Sequence, residues 1–126
     1  MTRILLVEDN EMNRDAISRL LERRGFTMLV AADGEEGVRV CIEALPDLVL
    51  MDLGLPGIDG FEATRRLKAH AATRAIPVVA LTARALTSDR QAAFDAGCDD
   101  YDSKPVDLAG LVDKIRRLTG PAEGSS

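Results

Sequence analysis

The stretch LVLMDLGLPGIDG, residues 48–60, decides the fold class and raises the functional question. Its apolar run, Leu48 to Met51, is typical of a strand that is buried on both faces. The run ends at an acid, Asp52, and a turn-rich segment with three glycines and a proline follows at once. The stretch itself does not explain why a carboxylate lies at the end of a buried strand, so the explanation has to come from the other residues of the chain.

Outward from this run, short apolar runs alternate with amphipathic segments along the whole chain. Other strands are predicted at Ile4–Val7, Met28–Ala32 and Ile76–Leu81, with a weaker one at Asp100–Ser103. Helical periodicity lies between them and is clearest at the last helix, whose positions are Leu108, Leu111, Val112, Ile115 and Leu118, with Asp107 as the expected N-cap and Gly120 as the stop. Five β–α units predict a single α/β domain with a doubly wound parallel sheet.

Composition fits one globular domain. The chain has 126 residues, of which 46% are hydrophobic and 29% charged, enough for one core but not two. A net charge of −5 argues against direct nucleic-acid binding, which needs a basic face. Cys41 and Cys98 are too few for a disulfide framework and should be buried packing residues.

Apolar runs in the chain are too short for a signal peptide or a membrane span. We therefore expect a cytoplasmic domain that does not enter a membrane. Residues 1–120 should form this domain, and residues 121–126, PAEGSS, a flexible tail or the start of a linker.

Polar side chains cluster where the predicted strands end. Glu8 and Asp9 follow the first strand, Asp52 ends the third, Thr82 the fourth, and Lys104 follows the fifth. Each of these residues alone has an ordinary explanation as a helix cap, a turn residue or a surface charge. In open parallel sheets, however, ligands bind outside the carboxyl ends of the strands, so their joint occurrence predicts a functional site there.

Four sequence blocks at these positions resemble the receiver domains of two-component response regulators. The blocks are VEDN (7–10), VLMDLGLPGIDG (49–60), VVALTA (78–83) and DDYDSKP (99–105). The resemblance extends over about residues 3–119 and is strongest to stand-alone receivers and receivers of hybrid kinases. It implies a flavodoxin-like sheet with strand order 2-1-3-4-5, which periodicity alone leaves open.

The resemblance implies a phosphoacceptor site. Asp52 would accept a phosphoryl group, and Thr82 and Lys104 would contact its oxygens. Mg²⁺, with Mn²⁺ as a second candidate, would be bound by Asp9, Asp52 and the backbone carbonyl of Gly54, with Glu8 acting through water. The chemistry is consistent with this, because two carboxylates about 4 Å apart repel by roughly 4 kcal/mol near a protein surface and a cation offsets that repulsion.

The resemblance also implies a conformational output. Thr82 and Tyr101 would form a switch pair that alters the surface of the fourth helix, fifth strand and fifth helix, and the Lys104–Pro105 bond would be cis. The phosphodonor would be a sensor histidine kinase or a histidine phosphotransfer protein, and the output a downstream protein target. The chain would be a monomer or a phosphorylation-dependent dimer, without separate turnover of a small molecule. His70, the only histidine, should lie on the surface.

Three positions depart from the family pattern. Gly54 and Arg84, two residues after Asp52 and Thr82, occupy positions that tune phosphoryl lifetime in the family, and we expect Arg84 to dominate here. Asp102 replaces an apolar residue and should either face solvent or have a partner.

Three other functions remain to be weighed against the receiver. A degenerate receiver would act as a phosphorylation-independent interaction module, but such proteins lack site residues that are all present here. A phosphatase of the haloacid dehalogenase type needs an acid where this chain has Gly54. A flavin-binding flavodoxin needs a first loop that holds a phosphate, and the acidic loop after the first strand would repel one.

Overall fold

A computed structural model describes residues 2–83 and 87–120, including every predicted strand. The five strands are β1 (Arg3–Val7), β2 (Thr27–Ala31), β3 (Leu48–Asp52), β4 (Val78–Thr82) and β5 (Asp100–Ser103). All pair in parallel, in the order β2-β1-β3-β4-β5. The open parallel α/β sheet and its strand order are therefore confirmed.

Helices follow each strand: α1 (Glu11–Glu22), α2 (Gly34–Ala44), α3 (Gly60–Ala69), α4 (Thr87–Ala96) and α5 (Leu108–Thr119). Asn10, Asp33 and Asp59 begin α1, α2 and α3, because each side chain accepts a hydrogen bond from the amide three residues later. Asp107 is the N-cap of α5 and Gly120 its C-cap, as predicted, although the Asp107 side chain makes no capping hydrogen bond.

The core has two layers, one on each face of the sheet. Side chains alternate along each strand, so Leu5 and Val7 pack on one face while Ile4 and Leu6 pack on the other. The first face is covered by α2, α3 and α4, and the second by α1 and α5. Helices on both faces explain why β3 and β4 are buried at every residue and read as continuous apolar runs.

Several predicted strand boundaries shift by one or two residues in the structure, and hydrogen bonds explain two of these shifts. β4 begins at Val78 rather than Ile76, because the Ile76 amide closes a turn onto the Thr73 carbonyl. β2 ends at Ala31, and the next amide, that of Ala32, donates to the Glu36 side chain instead of continuing a ladder. Both shifts leave the polar residues at the strand ends in the places that the sequence predicts.

The edge strand β5 is polar and half-buried along its length. Asp102 has a partner, since its carboxylate lies 3.6 Å from the Lys114 ammonium of α5. The same ammonium donates a hydrogen bond of 2.8 Å to the Tyr101 carbonyl. A charged contact therefore joins β5 to α5 where the family pattern would place an apolar one.

Three expectations about exposure and covalent state can be compared with the described residues. Cys41 and Cys98 are free thiols buried in the same core layer. His70 is exposed at the end of α3. Within the described ranges, no helix has both the length and the apolar character that a membrane crossing requires.

Candidate functional site

Three carboxylates meet where β1 and β3 end. These strands are neighbours, and Val7 pairs with Met51, so the residues that follow them emerge side by side. One carboxylate oxygen from each of Glu8, Asp9 and Asp52 lies within 4.8 Å of the other two. The sheet order thus brings together acids that are far apart in the sequence.

Lys104 reaches this cluster from the end of β5. Its ammonium lies 2.6 Å from Glu8 Oε1 and 3.3 Å from Asp52 Oδ2. The Lys104 amide is fixed by a 2.7 Å hydrogen bond to the Thr82 carbonyl, and the Lys104–Pro105 bond is cis. Burial disfavours the charged ammonium, but the hydrogen bond to Glu8 and the charge of Asp52 outweigh it and raise the pKa of Lys104.

Glu8 is the most deeply buried of the acids, with 1% of the residue exposed. Its Oε2 accepts a hydrogen bond of 3.1 Å from the Asn10 amide, and Oε1 accepts from Lys104. Burial raises the pKa of Glu8, the negative charge of Asp52 adds to that effect, and the two hydrogen bonds only partly oppose it. Glu8 was expected to act on a metal through water, and in this structure its carboxylate contacts Lys104 directly.

Asp52 is 5% exposed and is held at both carboxylate oxygens. Oδ1 accepts a 3.0 Å hydrogen bond from the Gly54 amide, while Oδ2 faces Lys104. Gly54 was predicted to contribute its carbonyl to a metal, and its amide has the additional role of orienting Asp52. Contacts at both oxygens therefore fix the direction of the Asp52 side chain.

A cavity of about 400 Å³ opens above these groups. Thr82, at 7% exposed, lies on its wall, and the small residue Ala83 follows it. Besides Leu53, four polar or aromatic lining residues were not singled out as site residues from the sequence: Asn10, Asn13, Phe61 and Asp89. Asn10 was detectable as the residue that begins a helix, but no sequence signal places the other three in this cavity.

The site suits a small divalent cation. Three carboxylates face one ammonium, which leaves an excess of negative charge in a partly buried place. All the available side-chain ligands of the cluster are oxygens, the donor type that Mg²⁺ prefers. The Asp9 carboxylate is exposed to the cavity, so a hydrated ion can approach it.

The remaining predicted residues lie near the site or beyond the described part. Tyr101, on β5, is half-buried and packs against the core layer under α2, α3 and α4. Arg84, the residue expected to tune phosphoryl lifetime, lies outside the described residues.

Comparison with known proteins agrees with this geometry. Residues 4–116 match the family model of the response regulator receiver domain. The polar-differentiation response regulator DivK of Brucella anthropi is 36% identical, with 94% of this chain and 97% of DivK covered. The receiver domain of the sensor histidine kinase PA1611 of Pseudomonas aeruginosa is 40% identical, with a TM-score of 0.89 and 94% and 98% of the two chains covered. That structure has a magnesium ion coordinated in its active site cleft.

This chain belongs to the response regulator receiver domain family. Some relatives carry more than a receiver. RpaA of Synechocystis sp., a DNA-binding transcriptional regulator, is 38% identical over 118 residues, and the match covers 94% of this chain but only 49% of RpaA. The chain therefore spans about half the length of that relative and nearly all of DivK.

Proposed function

We propose that this receiver domain accepts a phosphoryl group on Asp52 from a phosphohistidine of a partner protein. The observation that carries the proposal is the position of the Asp52 carboxylate, buried at the end of β3 and held between the Lys104 ammonium and the Gly54 amide. An oriented carboxylate with a cation beside it is suited to attack phosphorus. The Asp52 Oδ–phosphorus bond would form as the phosphorus–nitrogen bond of the donor breaks, and the imidazole would leave.

Glu8, Asp9 and Asp52, with the Gly54 carbonyl, would hold Mg²⁺, and Mn²⁺ could replace it. When bound, the ion would neutralise charge on the transferring group and on the three acids. This role is supported by the acidic cluster and by its excess negative charge. The magnesium ion in the similar PA1611 receiver adds support from a relative.

Lys104 and Thr82 would then contact the phosphoryl oxygens. Lys104 is close enough to exchange one of its carboxylate partners for a phosphoryl oxygen, because its ammonium already lies 3.3 Å from Asp52. Thr82 lines the same cavity and carries a hydroxyl donor. Tyr101 lies on β5 one strand away, and with Thr82 it would transmit the change to the surface of α4, β5 and α5, where a downstream protein would bind.

The partner that supplies the phosphoryl group would be a sensor histidine kinase or a histidine phosphotransfer protein. His70 is not the donor in this proposal, because it lies at the end of α3, which leads away from the cavity edge of the sheet. A cytoplasmic location and a monomer that can dimerise on phosphorylation complete the proposal.

The test is incubation with acetyl phosphate, a small phosphodonor, with and without Mg²⁺, followed by intact-protein mass spectrometry. Wild type should gain the mass of one phosphoryl group only when Mg²⁺ is present, and Asp52→Asn should gain none. Asp113→Asn, which removes an exposed acid of α5, is the matched control and should label like wild type. Labelling that persists in Asp52→Asn would place the acceptor elsewhere, and no labelling of wild type would favour the interaction-module alternative.

A further inference from the structure

Arg14, in the second turn of α1, reaches back to the loop that carries two of the acids. Its Nη1 donates a 2.9 Å hydrogen bond to the backbone carbonyl of Glu8, and the residue is half-buried. That carbonyl belongs to the peptide unit that joins Glu8 to Asp9. The guanidinium therefore fixes the plane of the peptide from which the Asp9 side chain projects.

Asp9 depends on its backbone more than the other two acids do. Glu8 and Asp52 are each held by Lys104 and by a backbone amide. Within residues 2–83 and 87–120, the exposed carboxylate of Asp9 makes no hydrogen bond or ion pair of its own. Its distance from the other acids is thus set by the orientation of the Glu8–Asp9 peptide.

The peptide is fixed on its other side by the fold. The Glu8 amide donates to the Ala31 carbonyl of β2, and the Asn10 side chain accepts from the Asn13 amide at the start of α1. Arg14 adds a side-chain contact to the carbonyl between these two anchors. A guanidinium can hold such a carbonyl with a defined direction because its donors lie in a rigid plane.

We propose that Arg14 is a positioning residue that orients Asp9 and so raises the affinity of the acidic cluster for Mg²⁺. The inference rests on the proposed metal-dependent function. The expected change in Mg²⁺ affinity when Arg14 is replaced is opposite in sign to the change that a purely electrostatic role would cause. A positive charge near a dication site weakens metal binding. If Arg14 acted only through its charge, neutralising it would therefore make the acidic cluster bind Mg²⁺ more tightly.

The experiment is a titration of the metal-free protein with Mg²⁺, in which ¹⁵N NMR and calorimetry measure the binding. Arg14→Gln and Arg14→Lys should both bind Mg²⁺ more weakly than wild type, by about fivefold and at least twofold respectively. Arg19→Gln, which removes an exposed arginine from the same helix, should bind like wild type. The NMR spectrum of each variant reports whether it is folded, and Arg14→Lys carries the test if Arg14→Gln does not fold.

Each outcome separates this inference from the proposed function. If wild type binds Mg²⁺ and Arg14→Gln binds as well or more tightly, the positioning role is overturned while the metal site stands. Equal affinities of Arg14→Lys and wild type, with tighter binding by Arg14→Gln, would assign Arg14 a charge effect only. If wild type binds no Mg²⁺ at millimolar concentrations, the proposed metal site fails and the inference fails with it.

Discussion

The two ends of the sheet carry opposite charges in very different settings. At the amino ends of the strands, a cavity of about 580 Å³ is lined by Arg24, Arg116 and Arg117. Arg116 lies over the Phe26 ring at 5.8 Å, and Arg117, whose side chain is 67% exposed, has its nearest carboxylate at 4.0 Å. At the carboxyl ends the cavity is smaller, but Glu8 and Asp52 are buried there and both lie in close contact with the Lys104 ammonium.

The difference shows that burial and convergence identify a site better than size does. Exposed charges are solvated, and a surface ion pair contributes about 0–1 kcal/mol, so the arginines need no function to be tolerated. A buried carboxylate costs several kcal/mol unless it is paired, and Glu8 and Asp52 share a single ammonium. Two buried carboxylates that share one ammonium leave a negative charge uncompensated, and such a costly cluster indicates a functional site.

The largest expected contrast between the two ends is in phosphorylation by acetyl phosphate. Lys104→Met should lower the initial rate by roughly 10²-fold to 10³-fold, as expected when a preorganised charge is removed from a reacting group. Arg116→Met, at the opposite end, should change the rate less than twofold. The measurement is the initial rate of phosphoprotein formation by mass spectrometry at a fixed Mg²⁺ concentration.

The Mg²⁺ affinity of both variants has to be measured. Removing Lys104 leaves Glu8 and Asp52 without their ammonium partner, so the affinity of Lys104→Met for the ion can change. Saturating Mg²⁺ therefore isolates the effect on the transfer step. Equal rates for the two variants would mean that the Lys104 ammonium does not act on the phosphoryl group.

A second contrast concerns glycines at the two ends. A Cβ at Gly60 would overlap the Asp52 carbonyl oxygen and the Leu53 Cα, so Gly60→Ala should destabilise the domain by about 3 kcal/mol. Gly25, at the arginine end, has a φ of +95° but no atom within 4 Å of a Cβ. Gly25→Ala should therefore cost only the backbone strain, about 1 kcal/mol. Urea unfolding followed by circular dichroism measures both values, and a larger loss for Gly25→Ala would contradict the close packing under Asp52.

A third contrast is the response of stability to Mg²⁺. An ion that binds only the folded chain stabilises it by about 1.4 kcal/mol at ten times its dissociation constant. At that Mg²⁺ concentration the free energy of unfolding of wild type, measured by thermal denaturation, should rise by about this much, and that of Asp9→Asn should rise little because it lacks one carboxylate of the cluster. Arg24→Gln should respond like wild type. A full response in Asp9→Asn would remove Asp9 from the proposed ligand set.

The smallest effect is expected in the core between the two ends. Burial raises the pKa of the Cys41 thiol from 9.0 to about 11, and the residue is fully buried. The neutral thiol is thus favoured in the folded state, and its contribution to stability is complete below pH 9 and is lost as the pH rises through 11. At pH 8, a thiol reagent should modify native protein at least tenfold more slowly than protein in urea. Rapid modification of the native chain would show that this layer opens easily.

Periodicity and residue type predicted the fold because both depend on local features. Apolar runs such as Leu48 to Met51 identify a strand buried on both sides, and the spacing of Leu108, Leu111 and Ile115 identifies one face of α5. The start of β4 was misplaced because Ile76 looks like a strand residue by itself, while its amide is already used in a turn. Asp107 lies at the N-cap of α5 without a capping hydrogen bond, so a favourable residue type does not ensure the bond.

The site was predicted less completely, because its contacts are tertiary. The resemblance pointed to Asp9, Asp52 and Lys104, and the structure brings these residues together. The pairing of Glu8 with Lys104 depends on how two loops approach each other across the sheet, which no spacing encodes. The contact of Arg14 with the Glu8 carbonyl likewise depends on a side-chain direction that the sequence does not specify.

The contact between Glu8 and Lys104 also has a consequence for synthesis of the chain. The two residues are 96 positions apart, so they belong to the first and the last portions of the domain to leave the ribosome. A nascent or truncated chain that ends before β5 contains the acids but not the ammonium that offsets them. If the proposed phosphotransfer holds, competence to receive a phosphoryl group therefore requires β5, and a chain that ends before it lacks the Lys104 ammonium of the site.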